Sequence, residues 1–292
     1  MYTIRKVPSF FISIMFPAIV LVGSFVIYPV INGIYLSFTN YSPTSPILNW
    51  VNLENYIYLL GDPEFWEVVR NTLVIVFFST LFAVIIGFGL ALLLDTGLKW
   101  ARFFRTAIFQ IWVVPWISIS IVWGWMFNVE YGIVNWFLVL LGIIPENFDW
   151  VFDPHGAKFL IISGYTWRAI PFMMVVSLAA MRSVPKDILD ASSIDGAGYF
   201  RRIIFVIIPL LRNIILTMAL LQAVRFFQEM TMPFILTEGG PGNATMVLSM
   251  YTYKLAFTYW DFGLASTVGT VWLIFLVIFG FIYVRLFFKK ID

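Results

Sequence analysis

The amino-acid sequence predicts an all-α integral membrane protein with six transmembrane helices. Of its 292 residues, 61% are hydrophobic and 12% are charged, whereas soluble domains are about a quarter charged. Six apolar stretches are long enough to cross a hydrocarbon core about 30 Å thick. Lysine and arginine are concentrated in alternate connectors between these stretches, as expected of a chain that crosses a membrane several times.

The six stretches give the predicted spans in chain order. They cover residues 10–36, 72–94, 106–127, 158–181, 203–227 and 262–288. The first is longer than the apolar region of a signal peptide and lacks a small-residue cleavage site, so we expect an uncleaved anchor. Pro115 interrupts the third, which is tolerated where neighbouring groups satisfy the freed backbone. Residues 1–9 form a head, residues 10–288 a single domain, and residues 289–292 a tail.

Two connectors carry features of their own. Residues 133–144 are apolar but too short to span, so we expect an interfacial helix on the outer face. Residues 239–242 are rich in glycine. Because a phosphate-binding loop requires a lysine and Pro241 disrupts the pattern, these glycines predict an outer turn.

The distribution of basic residues predicts the orientation of the chain. The connectors and adjoining span ends on one side contain only Arg70, Lys158 and Lys254. The head, the second and fourth connectors, the tail and the adjoining span end contain Arg5, Lys6, Lys99, Arg102, Arg105, Arg182, Lys186, Arg201, Arg202, Arg285, Lys289 and Lys290. Because basic connectors stay in the cytoplasm, both termini and the connector at residues 182–202 are predicted to be cytoplasmic.

The connector at residues 182–202 has the pattern of a short helix ended by glycine. Pro185 suits the first turn of a helix, and Asp187 and Asp190 follow where the helix dipole favours carboxylates. Gly196 can adopt the left-handed conformation that ends a helix. On spacing alone, an ordinary cytoplasmic loop with a helix cap explains the pattern equally well.

The same connector resembles a loop of permease subunits in binding-protein-dependent ABC importers. Asp190-Ala191-Ser192-x-x-x-Gly196, followed by Ile207-Ile208-Pro209, is similar to the Glu-Ala-Ala-x-x-x-Gly…Ile-x-Leu-Pro motif of that family. Aspartate replaces glutamate and serine replaces the second alanine. The family's loop forms a coupling helix that sits in a cleft on the ATPase subunit. The resemblance assigns this role to Pro185, Asp187, Asp190, Ala191, Ser192, Asp195, Gly196, Ala197 and Pro209.

Other short motifs extend the resemblance over nearly the whole chain. They include Arg70-Asn71-Thr72-Leu73, Trp167-Arg168…Pro171-Phe172 and Leu236-Thr237-Glu238-Gly239-Gly240-Pro241. The likeness is greatest to the MalF-like carbohydrate branch. The maltose permease subunit has additional N-terminal helices and a large external insertion that this sequence lacks. The chain is therefore similar to a minimal six-helix permease of the type I (MetI/MalF-like) fold.

The resemblance implies a non-enzymatic permease subunit of an ATP-driven importer in a bacterial or archaeal cell membrane. This subunit would form half of the path for a sugar or oligosaccharide. The implied partners are a second, different permease, two copies of an ATPase subunit that bind ATP and Mg²⁺, an extracytoplasmic solute-binding protein, and membrane lipid. The chain lacks a Gly-x-x-x-x-Gly-Lys-Ser/Thr phosphate loop, so we expect it to bind no cofactor itself.

The residue types within the spans weigh against other functions. No aspartate or glutamate lies in a predicted span, whereas transport coupled to protons or sodium usually needs an ionisable relay at membrane depth. His155 is the only histidine and there is no cysteine, so we expect no zinc site. A net charge of +2 is too small to indicate nucleic-acid binding. A secondary transporter and a membrane-embedded enzyme are therefore weaker alternatives.

Candidates for the substrate path cluster at the outer end of the fifth span. Gln222, Arg225 and Glu229 have helical spacing and share one face if the helix continues. Snorkelling of polar groups to the membrane interface explains them equally well. Arg168, within the fourth span, is better explained by a structural or gating role. The full set of candidates is Gln222, Arg225, Gln228, Glu229, Tyr251 and Arg168. An importer of an anionic solute such as glycerol 3-phosphate is the alternative, with Arg225 binding the phosphate.

Overall fold

A computed structural model of the protein describes residues 9–45, 47–95 and 99–287, and the side chains of residues 14–45, 47–95 and 99–285. The predicted tail and all of the predicted head except Ser9 lie outside the described residues, as do Arg5, Lys6, Lys289 and Lys290. The described chain is helical except for connecting loops and one isolated antiparallel bridge between Thr39 and Trp50.

The helices vary widely in length. In chain order they are α1 Ser9–Val22, α2 Tyr28–Leu36, α3 Glu54–Gly61, α4 Pro63–Leu94, α5 Lys99–Val113, α6 Trp116–Met126, α7 Ile133–Leu140, α8 Pro154–Arg182, α9 Lys186–Ile194, α10 Tyr199–Arg202, α11 Ile208–Gln228, α12 Thr231–Leu236, α13 Leu248–Tyr253 and α14 Phe262–Phe287. Turns of π-helix at Gly23–Ile27 and Ile203–Ile207 join α1 to α2 and α10 to α11. A third follows α13 at Lys254–Thr258.

Among the described residues, five stretches are long and apolar enough to cross a membrane. They are Ile14–Leu36, Pro63–Leu94, Pro154–Arg182, Tyr199–Gln228 and Phe262–Arg285. The pair α5 and α6 makes a sixth if it is counted as one bent span. This architecture confirms the predicted all-α membrane fold. α7 begins at Ile133 as predicted but ends at Leu140, four residues before the end of the predicted segment, and the turn at residues 239–242 forms where it was predicted.

The third predicted span is a sharply broken helix. α5 and α6 meet at an angle of 101°, and Pro115 between them is extended, with φ −61° and ψ 146°. Proline has no backbone N–H and disfavours helical geometry in the residue before it, so the helix cannot run straight through this point. The sequence locates the interruption but gives no indication of its angle.

The second span begins nine residues before its predicted start, at Pro63 instead of Thr72. The added turns carry Glu67 and Arg70, whose side chains form an exposed ion pair of 3.7 Å. The charges of this segment predict a connector instead of a helix. A membrane helix can extend beyond the apolar layer, so charge marks where the apolar stretch ends and not where the helix ends.

The described chain divides into two compact units, the first formed by Met1–Asp62 and Thr252–Gly280. In it, the start of α14 is bound to the segment that follows α2. The Thr267 hydroxyl donates to the Ser37 carbonyl at 3.0 Å, and the Gly263 N–H donates to the Tyr41 carbonyl at 3.0 Å. A Cβ at Gly263 would lie 2.2 Å from the Thr39 carbonyl oxygen, so this approach requires glycine.

The second unit comprises Pro63–Tyr251 and Phe281–Asp292. Helices α4 and α8 make the most extensive contact in it. At their closest approach, a Cβ on Gly87 would lie 2.4 Å from the Cβ of Met173. Small residues allow membrane helices to pack backbone to backbone in this way.

Polar contacts tie the connectors of the second unit together at opposite ends of α4. After its C-terminus, Asp95 forms an ion pair of 3.6 Å with Arg182 at the end of α8. Near its N-terminus, the Asn71 amide donates to the Asn243 carbonyl at 2.7 Å. The second and fourth connectors therefore lie at one end, as their basic residues predict. Which end faces the cytoplasm remains a prediction.

Candidate functional site

The loop between the fourth and fifth spans forms the predicted short helix, α9. Pro185 is its N-cap residue, with φ −58° and ψ 133°, and so lies one position before the first turn in which it was expected. Asp187 is in the first turn, where the unpaired N–H groups and the helix dipole favour a carboxylate.

Gly196 ends this helix in the predicted left-handed conformation, with φ +77°. The Ala197 N–H donates to the Ser192 carbonyl at 3.0 Å and the Gly196 N–H to the Ser193 carbonyl at 3.2 Å. These two hydrogen bonds form a Schellman motif, which satisfies carbonyls that the helix end would otherwise leave unpaired. A Cβ at Gly196 would meet nothing within 4 Å. The need for glycine is therefore purely conformational.

One side of α9 packs inward and the other is exposed. Ser192 is buried, and its hydroxyl donates to the Leu189 carbonyl at 2.7 Å, which explains how serine replaces the family's alanine at low cost. The outward surface carries the side chains of Asp187, Asp190, Ala191 and Asp195. Ile194 is 87% exposed. The surface combines carboxylates with uncovered apolar groups, as a docking surface would.

The loop returns to the membrane through α10, the π-helical turn and α11. Pro209 is at the second position of α11, directly after the π-helical turn Ile203–Ile207. Its missing N–H falls where the helical hydrogen bonding is already shifted, since the Ile208 N–H donates to the Ile203 carbonyl. The proline is thereby accommodated without a break.

A cavity of about 130 Å³ lies between this loop and the ends of α4 and α8. Its lining includes Asp95, Val184 and Arg202. The Nε of Arg202 is buried and has no hydrogen-bond partner within the part of the chain that the structure describes. The loop therefore contacts the ends of α4 and α8 through a partly polar interface.

The second candidate site is a cavity of about 640 Å³ beside the break between α5 and α6. It is lined by Trp112, Val113, Trp116, Arg168, Gln222, Arg225, Gln228 and Glu229. The structure therefore brings together five of the six substrate-path candidates from α8, α11 and the residue after α11. Tyr251, the sixth, is buried and does not belong to this lining.

Arg168 is held against the broken helix. Its Nε donates to the Val114 carbonyl at 3.2 Å, and its guanidinium carbon lies 4.4 Å from the centre of the Trp116 ring. The break frees the Val114 carbonyl from helical pairing, and the arginine supplies the donor it needs. This hydrogen bond agrees with the predicted structural role of Arg168, because it holds the broken helix in place.

Helix α11 ends at Gln228, so the condition for a shared helical face, a helix that continues through Glu229, is not met. Glu229 is extended, with φ −83° and ψ 125°. Its carbonyl accepts from the Tyr165 hydroxyl at 2.8 Å, and its Oε1 accepts from the Thr231 N–H at 2.7 Å. These tertiary contacts turn the chain out of the helix while keeping the Glu229 side chain at the cavity.

Aromatic rings form much of the surroundings of the cavity. Trp116 packs on Tyr165 with ring centres 5.1 Å apart, and Tyr165 stacks on Phe226 at 4.9 Å. Trp112 stacks on Phe172 at 6.4 Å. Flat apolar faces beside a few convergent polar groups are typical of small-molecule sites. Sequence reasoning missed Trp112 and Trp116 as site residues, although the tryptophan-rich third span and Pro115 were visible signals.

Comparison with known proteins shows the family of the chain. Residues 80–292 match the family described as binding-protein-dependent transport system inner membrane component. The chain belongs to this family. It is therefore a multi-pass component of an inner-membrane transport system that works with a binding protein, which confirms the predicted resemblance and location.

Individual relatives cover nearly the whole chain. The chain is 34% identical to the lactose transport system permease protein LacF of Rhizobium radiobacter, over 91% of this chain and 90% of that protein. It is 31% identical to the trehalose/maltose permease MalF of Thermococcus litoralis, over 92% and 90%. It is also 31% identical to the sulfoquinovosyl glycerol permease SmoG of Agrobacterium fabrum, over 89% and 84%.

Solved structures support the fold. A crystal structure of a bacterial ABC transporter that imports the acidic polysaccharide alginate contains a chain with TM-score 0.78 and 18% identity, covering 97% of this chain and 96% of that one. A second structure of an alginate transporter, in complex with a periplasmic protein carrying an alginate pentasaccharide, gives a TM-score of 0.82. The importer-type permease fold is thereby confirmed over almost the full length.

Proposed function

We propose that this chain is the permease subunit of an ATP-driven importer of a sugar or oligosaccharide and that the cavity beside Pro115 belongs to its substrate path. The observation that carries the proposal is the combination of aromatic faces with Gln222, Arg225 and Gln228 in one cavity. The carbohydrate permeases among its relatives support the same cargo class.

Partner subunits supply the other components of the transporter. A second permease completes the path, two ATPase subunits bind ATP and Mg²⁺, and a solute-binding protein delivers the cargo. The chain binds no cofactor of its own. The α9 loop is the part that transmits ATPase movement. The Schellman motif at Gly196 makes the end of α9 rigid, and the exposed carboxylate and apolar groups can bind a partner subunit. The family's dependence on a binding protein supports one of these partners directly.

Import measured in proteoliposomes tests the proposed path. The complete transporter carrying Gln222→Leu should import sugar about 2- to 10-fold more slowly, since a net hydrogen bond contributes about 0.5–1.5 kcal/mol. The matched control is Gln110→Leu, whose side chain is exposed and lies outside the cavity lining. Equal import by both variants would show that the cavity is not part of the substrate path. Import without ATP or partner subunits would contradict the proposed function itself.

A further inference from the structure

We propose that the cavity beside Pro115 selects saccharides that carry an acidic group, and that Arg225 binds this group. The inference rests on the proposed function and narrows its cargo class. It concerns a carboxylate, sulfonate or phosphate attached to a sugar ring. Arg225 then acts as the specificity-determining residue of the permease.

The charges of the ionisable groups that line the cavity do not sum to zero. Its lining contains two guanidinium groups, those of Arg168 and Arg225, and one carboxylate, that of Glu229. A charge among membrane helices is costly unless it is paired or hydrated, and such charges commonly mark the path of a transported solute. One further negative charge would neutralise the lining, and an acidic cargo brings that charge.

The contacts show which of these groups is available to a ligand. The Nε of Arg168 is bound to the Val114 carbonyl, with the guanidinium against Trp116. One carboxylate oxygen of Glu229 accepts from the Thr231 N–H. The Arg168 guanidinium and the Glu229 carboxylate are therefore each partly occupied by contacts within the protein.

Arg225 is different. Its guanidinium carbon lies 5.1 Å from the centre of the Phe172 ring, and its side chain is exposed. Among the described residues it forms no ion pair and no side-chain hydrogen bond. A guanidinium has five N–H donors in a planar fork that matches a carboxylate, sulfonate or phosphate with two parallel hydrogen bonds. The ring of Phe172 positions the fork and leaves its donors free.

Gln222 provides a second unsatisfied group beside Arg225. It lies one helical turn earlier on α11, at the i,i+3 spacing that places side chains on the same face. The residue is only 4% exposed. Its amide forms no hydrogen bond within the described part of the protein and faces the cavity. A sugar hydroxyl or ring oxygen next to the acidic group can therefore form a hydrogen bond with it.

A neutral saccharide fits this arrangement less well. It would hydrogen-bond to Gln222 and cover the Trp112 ring, but Arg225 would keep its uncompensated charge as the cavity closed and lost water. Removing a charge from water without a partner costs much more than leaving a neutral group unpaired. An acidic saccharide satisfies both the amide and the guanidinium.

Import by the complete transporter tests the inference. Proteoliposomes containing all subunits, with the binding protein present, are given maltose, digalacturonate or glucose 6-phosphate. The two acidic probes distinguish a carboxylate from a phosphate. Wild type should import at least one acidic probe faster than maltose. Arg225→Gln should slow that import by roughly 10- to 100-fold, because hydrogen bonds to charged groups are the strong ones. Arg225→Lys should lose less.

The matched control is Arg212→Gln on the same helix, since Arg212 is exposed and outside the cavity lining. Its import rates should equal those of wild type. Import of maltose alone, or acidic import that Arg225→Gln does not slow, overturns the inference and leaves the proposed function intact. Import of neither neutral nor acidic saccharide overturns both.

Discussion

Replacing Gly196 with alanine tests whether the end of α9 must be rigid for transport. The residue has φ +77° and open space around it, so alanine adds backbone strain without a steric clash from neighbouring residues. Every other contact of the loop is left unchanged. The substitution therefore isolates the conformation of the Schellman cap.

The magnitude follows from the cost of a left-handed residue. For an L-residue other than glycine or asparagine this cost is about 1–2 kcal/mol, which changes an equilibrium between two loop conformations by a factor of about 5–30. If the loop transmits ATPase movement, the fraction of productive cycles should fall by a similar factor. ATP hydrolysis should fall less, because the nucleotide site is in another subunit.

The assay measures sugar import and ATP hydrolysis in the same proteoliposomes. Gly196→Asn should retain most of the coupling, because asparagine tolerates the left-handed region. Gly198→Ser is the matched control: this glycine has φ −64° and is the N-cap residue of α10, where serine is favoured. An unchanged import-to-hydrolysis ratio in Gly196→Ala would refute the reasoning, as would an equal loss in Gly198→Ser.

Two further predictions concern stability. Gly87→Ala should lower the free energy of unfolding by about 1–3 kcal/mol, because the added Cβ forces α4 away from α8. A Cβ at Gly89 would meet nothing within 4 Å, so Gly89→Ala should be neutral or stabilising. Equal thermal midpoints of the two variants in detergent would contradict this. Asn71→Ala should cost about 0.5–1.5 kcal/mol by removing one of the two donors to the Asn243 carbonyl, which keeps its hydrogen bond from the Met246 N–H. Hydrogen exchange should accelerate in residues 239–246, and unchanged exchange there would show that Asn71 does not hold this turn.

The features predicted correctly from the sequence are those set by short-range chemistry. The apolar stretches predict the spans because each needs only enough apolar length to cross the membrane. Gly196 predicts the end of α9 because a left-handed helix end favours glycine wherever the surrounding protein lies. The similarity of the loop to the family motif rests on the same local constraints.

The features that were not predicted arise where distant parts of the chain decide the local conformation. Glu229 leaves the helix because Tyr165, 64 positions earlier, and Thr231 bind its carbonyl and carboxylate. The Trp116 ring lies against Arg168 only because the chain bends by 101° at Pro115. Spacing along one helix does not reveal contacts between helices, so Trp112 and Trp116 were not predicted as part of the cavity.

Cysteine cross-linking tests the account's central claim, that the α9 loop faces the cytoplasm and binds an ATPase subunit. The chain contains no cysteine, so a single introduced thiol reports on one position. Asp190→Cys should cross-link to the co-purified ATPase and resist a membrane-impermeant thiol reagent applied to intact cells. Asn147→Cys, exposed in a predicted outer connector, should show the opposite behaviour. Labelling of Asp190→Cys from outside, or failure to cross-link to the ATPase, would contradict the account.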